Sequence, residues 1–195
     1  LVYKLQSNLK ETENLHRASA GLNMACSSSD VLAVLRQYTL LGQAEEVAIN
    51  LFEHPFDPDR QPESFTPVAV WSSVPLAATP LSRQKLQDWM AVEKLLNPDV
   101  PTLVQDPASD PRLRTTAREV YVDTLQAARL LFTPLNFAGK WIGFISAAFS
   151  SDPAINEAAV RRLVSLAGQA AVAIENMRLL NETRQHNEEL TTLNN

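Results

Sequence analysis

The stretch from Ala154 to Asn195 holds no proline and a single glycine, Gly168, while leucines, alanines and charged residues recur along it at helical spacing. A helix of that length runs on the order of 60 Å at about 1.5 Å per residue, farther than a compact domain of this size needs. The chain is therefore expected to be a piece of a longer polypeptide, with a last helix that starts in a core and leaves it. Val160, Leu163, Val164, Leu166, Ala167, Ala170, Ala171 and Ile174 supply a broad apolar face suited to packing on a sheet. Beyond Met177 the stripe narrows to Leu179, Thr183, His186, Leu190 and Leu193, spaced alternately four and three, a heptad seam with two polar occupants. Arg178 with Glu182 and Arg184 with Glu188 place opposite charges four apart beside it.

With 195 residues, 45% of them apolar, the chain can bury one sizeable core, and one domain with helical extensions is expected rather than two. The net charge of −5 comes from interleaved acidic and basic residues with no lysine or arginine run, which argues against a nucleic-acid partner. Apolar stretches such as Trp141 to Phe149 are too short to span a membrane, and the N-terminus is polar where a signal peptide is hydrophobic. No direct membrane insertion is expected, and a cytoplasmic location is, although a parent protein with its own membrane anchor is compatible with this. The one cysteine, Cys26, excludes an intrachain disulfide, and His16, His54 and His186 are too scattered for metal-ligand spacing. No metal site is expected.

All 12 prolines lie between Pro55 and Pro153, dividing the chain into a helical front, a broken middle and a helical end. Leu1 to about Ala25 reads as an amphipathic helix with Val2, Leu5, Leu9, Leu15 and Leu22 apolar; Ser27 to Asp30 then cap a second helix, Val31 to Leu41, which Gly42 closes. Glu46 to Glu53 and Thr66 to Ser73 read as strands joined by a solvated, proline-rich connection. Leu81 to Leu96 reads as a helix with Leu86, Trp89, Met90, Leu95 and Leu96 inward. Pro101 to Gln105 is a short strand running into an Asp-Pro turn and a helix that reaches about Gln126. Ala128 to Phe137 and Lys140 to Ser150 form a hairpin around Ala138-Gly139; Ser151 or Asp152 then caps, and Pro153 opens, the long helix.

PTLVQDPASDPR (101 to 112), RLLFTPLNFAGKWIGFISAAF (129 to 149) and VRRLVSLAGQAAVAIENMRLL (160 to 180), in this order and spacing, resemble a GAF domain, a small-molecule-binding and dimerising module of bacterial signalling proteins. The resemblance implies an α+β fold: a central antiparallel sheet with the terminal helices on one face and a ligand pocket on the other. It divides the chain into an N-terminal signalling helix (1–26), a GAF-like domain (15–180) and a coiled-coil linker (176–195) to an output domain in the same polypeptide. It also implies a homodimer paired through the terminal helices, with Leu5, Leu9, Leu179, Thr183, His186, Leu190 and Leu193 at the pairing surface, and a role in histidine kinase or other two-component signalling.

The candidate ligand-binding residues are Trp71, Asp106, Asp110, Arg112 and Arg129. The arginines suit an anionic ligand, and Asp106 and Asp110 a cation or acid–base work; ion pairing and turn capping are the ordinary alternatives. The Asn-Lys-Phe-Asp-Glu pattern of cyclic-nucleotide-binding members is absent. Neither a bilin-attachment nor a haem-ligand pattern is recognised, so the cofactor stays open, and Cys26 reads as an inert thiol. His186 lacks the following Glu and the downstream Pro of a phosphoacceptor box.

No phosphate loop, nucleophile elbow or metal-ligand cluster is present, so no catalytic residue is expected. The resemblance also includes a free methionine sulfoxide reductase, whose chemistry relies on several cysteines. Two non-enzymatic readings stand: a sensor whose pocket takes a small molecule, and a ligand-free dimerising spacer whose pocket is filled by its own side chains.

Overall fold

At Ser27 the hydroxyl accepts from the Asp30 N–H at 3.1 Å, and the Asp30 carboxylate accepts from the Ser27 N–H at 3.0 Å. This reciprocal cap breaks the helical front in two, because it satisfies the free amides of a new helix start. The result, in a computed structural model that describes residues 2–75 and 78–193 (backbone alone at 2–5, 7 and 189–193), is α1 (Val2–Met24) followed by α2 (Ser28–Tyr38). Helix α2 ends at Thr39, earlier than Gly42, and residues Leu40–Gln43 form a 3₁₀ turn.

Among the described residues, six strands form one antiparallel sheet: β1 (Glu46–Phe52), β2 (Ser64–Ser72), β3 (Gln84–Lys85), β4 (Thr102–Val104), β5 (Arg129–Phe137) and β6 (Lys140–Phe149), in the order β3-β2-β1-β6-β5-β4. The β5–β6 turn falls at Ala138 and Gly139, both at positive φ (49° and 74°), the backbone that a two-residue hairpin requires. Gly143 is needed for a different reason: a Cβ there would drive into the Asn50 carbonyl oxygen of the neighbouring central strand.

The helix expected over 81–96 is absent. In its place are β3, the single turns α3 (Leu86–Trp89) and α4 (Val92–Leu95), and an extended Met90 that bridges to Leu113. The Ala91 N–H donates to the Arg112 carbonyl and the Arg114 N–H to the Trp89 carbonyl, both at 2.9 Å, so hydrogen bonds to the 112–114 segment replace helical ones. The five residues assigned inward are buried nonetheless. The helix expected to reach Gln126 is also shorter: α5 (Thr115–Arg118) passes into a π turn, Glu119–Thr124, and Gln126 ends it at positive φ.

The last helix, α6, runs Glu157–Leu193 as one uninterrupted element. Its cap is Asn156, whose side chain accepts from the Ala159 N–H at 2.8 Å; Asp152 is instead paired with Arg129 at 2.6 Å. Helices α1, α2 and α6 cover one sheet face, where Val47, Ile49, Leu131, Ile145, Ala147 and Phe149 meet Leu35, Leu163, Leu166, Ala170 and Ile174. The second face carries a separate core, in which Phe65, Phe132 and Phe144 meet Leu86, Trp89, Leu113, Ala117 and Tyr121. A sheet apolar on both faces must be covered on both, and the short elements between β2 and β5 cover the second.

Candidate functional site

Strand alternation puts Glu46, Ala48 and Asn50 of β1 on the second face. The register sets Glu46 opposite Ser72 on β2 and Ala148 on β6, and Ala48 opposite Val70 and Ser146. Here the face is small and polar, whereas its other end is filled by edge-to-face aromatic rings. Phe65 lies 5.6 Å from Trp89 and 5.3 Å from Phe144, and Trp89 lies 5.7 Å from Tyr121, centroid to centroid.

The polar end is buried. Glu46 is 2% exposed and its two carboxylate oxygens accept one N–H each, from Ala78 at 2.8 Å and Thr79 at 2.9 Å. Asn50, 1% exposed, donates from Nδ2 to the Ser146 hydroxyl at 3.1 Å and more weakly to the Ala48 carbonyl at 3.4 Å. Its Oδ1 has no hydrogen-bond partner among the described residues, and neither does the buried Ser72 hydroxyl. An orphaned buried polar atom costs about 1–3 kcal/mol, so each of these requires a reason. Burial pushes the Tyr121 phenol well up, the Ser146 hydroxyl opposes this and the Glu46 carboxylate adds to it.

The residues singled out in the sequence lie elsewhere and apart. Trp71 is on the helix-covered face, with the Arg36 guanidinium stacked 3.1 Å above its ring. Burial draws that guanidinium below its usual range. Asp106, Asp110 and Arg112 form the turn after β4. The Ser109 hydroxyl bonds Asp106 and holds it below the usual carboxylate range, and Arg112, paired with Asp110 at 2.6 Å, does the same to Asp110. Arg129 is held by Asp152 and donates to the Gln105 carbonyl at 2.6 Å. Each of these four charges is taken up inside the chain. Among the described residues no cluster of three or more His, Cys, Asp or Glu is placed to hold a metal ion, and Cys26 is an exposed thiol.

Sequence reasoning missed Glu46, Asn50, Ser72, Ser146 and Tyr121. The signal was present in EVAINLF, where polar residues at 46 and 50 flank Ala48 on one strand face that reads as solvated. Concavities lie elsewhere, one of about 540 Å³ on α1 beside Asn8, Leu9, Thr12, Glu13 and His16 and two that are charged and partly self-paired. A cleft of about 720 Å³ along β3, α3 and α4 has Gln61 bonded to Glu93 at 2.6 Å, and one of about 280 Å³ beside His54 has Arg178 paired with Glu175 at 2.6 Å.

On α6 the exposed residues Ser165, Gly168, Val172, Asn176, Leu179, Thr183 and His186 follow three- and four-residue steps along the side away from the sheet. A Cβ at Gly168 would meet nothing within 4 Å. On α1, Leu9 is 70% exposed. The side chains of Leu5, Leu190 and Leu193 lie outside the described residues. No described helix is long and apolar enough to cross a membrane.

A central antiparallel sheet with long terminal helices on one face and short connecting elements on the other defines an α+β domain of the kind found in three solved structures. One is a GAF domain/HD domain protein from Geobacter sulfurreducens (18% identity, 83% of this chain and 98% of that one, TM-score 0.58). Another is a domain of a two-component sensor histidine kinase protein from Sinorhizobium meliloti 1021 (18% identity, 80% and 92%, TM-score 0.54). The third is the phycoerythrobilin-bound GAF domain of a cyanobacterial phytochrome (18% identity, 88% and 97%, TM-score 0.55). No protein-family model and no curated protein matches the sequence. The chain has a GAF-like fold.

Proposed function

We propose that the chain is a non-catalytic sensory and regulatory module of a cytoplasmic signal-transduction protein. It takes a small molecule at the polar end of the second face and passes its state through α1 and α6, paired in a homodimer, to an output domain of the same polypeptide. The observation that carries this reading is α6 itself: one helix whose inner side is built into the sheet core while its outer side presents a stepped, exposed seam. A change in the core therefore reaches the seam without a joint. A ligand shifts such a two-state element only by its differential affinity for the two states, and a 100-fold preference amounts to about 2.7 kcal/mol.

Native mass spectrometry of the purified chain tests the reading. A dimer carrying extra non-covalent mass is expected, with Leu179→Asp converting it to a monomer. A monomer without added mass overturns both halves. A second reading, the ligand-free spacer, draws on the aromatic filling of much of the second face; a dimer with no retained mass that takes up none of a broad metabolite panel favours it.

A further inference from the structure

Among the described residues the half-buried arginines are Arg36, Arg112, Arg118, Arg129 and Arg162. Arg112 is paired with Asp110, Arg129 with Asp152 and Arg162 with Glu11, and Arg118 donates to the carbonyls of Ala108, Asp110 and Leu113. Arg36 differs: none of its N–H groups meets an acceptor among the described residues, and its Nε is enclosed as well. Glu45 is taken up by the Ser73 and Ser150 hydroxyls rather than by Arg36. The guanidinium lies 3.1 Å over the Trp71 ring, which fixes its plane, while Nη1 and Nη2 reach the surface as the open end of a fork. A stacked arginine with its donors held in one plane is preorganised for a carboxylate.

Trp71 lies on β2, whose outer edge is open at this level, because β3 pairs with Ser64 and Phe65 and goes no farther. The Ser73 N–H donates to the Glu45 carbonyl at 2.7 Å, so position 73 faces β1. By alternation Trp71 and Ala69 face β1 too, and Val70 and Ser72 turn their N–H and C=O groups outward, where no described residue bonds to them. Farther along, Pro67 and the register shift beside it blunt the edge. We propose that residues 70–72 dock an extended acidic segment of a partner protein as a further strand, with a carboxylate of that segment on Arg36. Such a strand, laid antiparallel, exchanges both hydrogen bonds at Val70 and both at Ser72. Its residue opposite Trp71 then occupies the non-hydrogen-bonded position, with Cβ atoms about 4.5–5.5 Å apart and side chains on the helix-covered face. An acid there reaches the guanidinium, and a lysine meets like charge. The inference goes beyond the sensory reading and does not depend on it.

Calorimetric titration of the whole chain with the capped pentapeptide acetyl-Thr-Val-Glu-Val-Thr-amide tests it. The controls are the same peptide with Lys for Glu, the Glu peptide N-methylated at both valines, and free glutarate. The Glu peptide is expected to bind saturably with a Kd of about 1 mM, and each control at least about ten-fold more weakly. Arg36→Gln should weaken the Glu peptide about ten-fold and leave the Lys peptide no weaker than before. Val70→Pro deletes an outward N–H and no bond to β1, so it should keep the melting temperature and lose the Glu peptide. If Arg36→Gln does not fold, Val70→Pro and the methylated peptide decide. Glu and Lys peptides that bind alike, glutarate that matches the Glu peptide, binding indifferent to the variants, or no saturable binding by the Glu peptide overturns the proposal. So does a dimer in native spectra that Val70→Pro converts to a monomer, since a second copy then fills the edge.

Discussion

The two ends of the second sheet face lie on the same strands and are built on opposite plans. Toward one end Phe65, Trp89, Phe132 and Phe144 fill the space with packed rings, and Tyr121 carries them up to Ser146. At the other, Glu46, Ala48, Asn50, Ser72 and Ser146 leave polar atoms buried and two of them without partners. Packed rings stabilise a fold, whereas orphaned acceptors weaken it and persist where something else uses them. The difference teaches that burial alone does not mark a core: both ends are equally dry, and only one is arranged for stability.

The sharpest break is at the central β1–β6 pairing that both sets of residues share. Gly143→Ala pushes β6 off β1 at the Asn50 carbonyl and is expected to cost more than about 3 kcal/mol or to abolish folding, as urea melts and circular dichroism will register. At the aromatic end, Trp89→Ala leaves a cavity among Phe65, Met90 and Tyr121 and should cost about 3–5 kcal/mol in the same melts. Asn50→Leu at the polar end removes the orphaned acceptor and should lie within about 1 kcal/mol of the parent; a loss as large as that of Trp89→Ala would erase the distinction.

A smaller effect lies in the turn after β4. The Asp110 carboxyl is depressed chiefly by its bond to Arg112. Its folded-state value lies below the unfolded one, so its contribution is complete above the usual carboxylate range and is lost as pH falls through the depressed value. Arg112→Gln should raise that titration, read by carbon NMR of the carboxyl, and move the acid loss of stability to higher pH. The smallest effect belongs to Arg161→Ala, which breaks an exposed pair with Glu157 and should change stability by no more than about 0.5 kcal/mol.

Elements made by local contacts were legible in the chain. The Ser27–Asp30 cap, the Ala138-Gly139 hairpin and most of the apolar face of α6 depend on residues a few positions apart and occur where their patterns place them; Val164, expected on that face, is 39% exposed because it turns away from the sheet. The 81–96 segment shows the limit. Its inward residues were right and its helix was not, because Met90, Ala91 and Trp89 exchange backbone bonds with residues 112–114, which no local period reports. The candidate site was less legible still. Asp106, Asp110, Arg112 and Arg129 carry the charges that attract notice, and the fold neutralises them with near neighbours, whereas Asn50 and Glu46 sit in a strand that reads as ordinary.

By itself the sequence determined the capped helical front, the β5–β6 hairpin and the long last helix, since helix and strand periods, caps and turns are short-range properties. Tertiary structure alone decided which polar residues lose their water. Asn50 becomes an orphan through strand register, which brings Ser146, 96 positions away, to its amide, and Glu46 is enclosed when the amides of Ala78 and Thr79 fold onto it. Solvation is set by what packs above a residue, and that is a long-range fact.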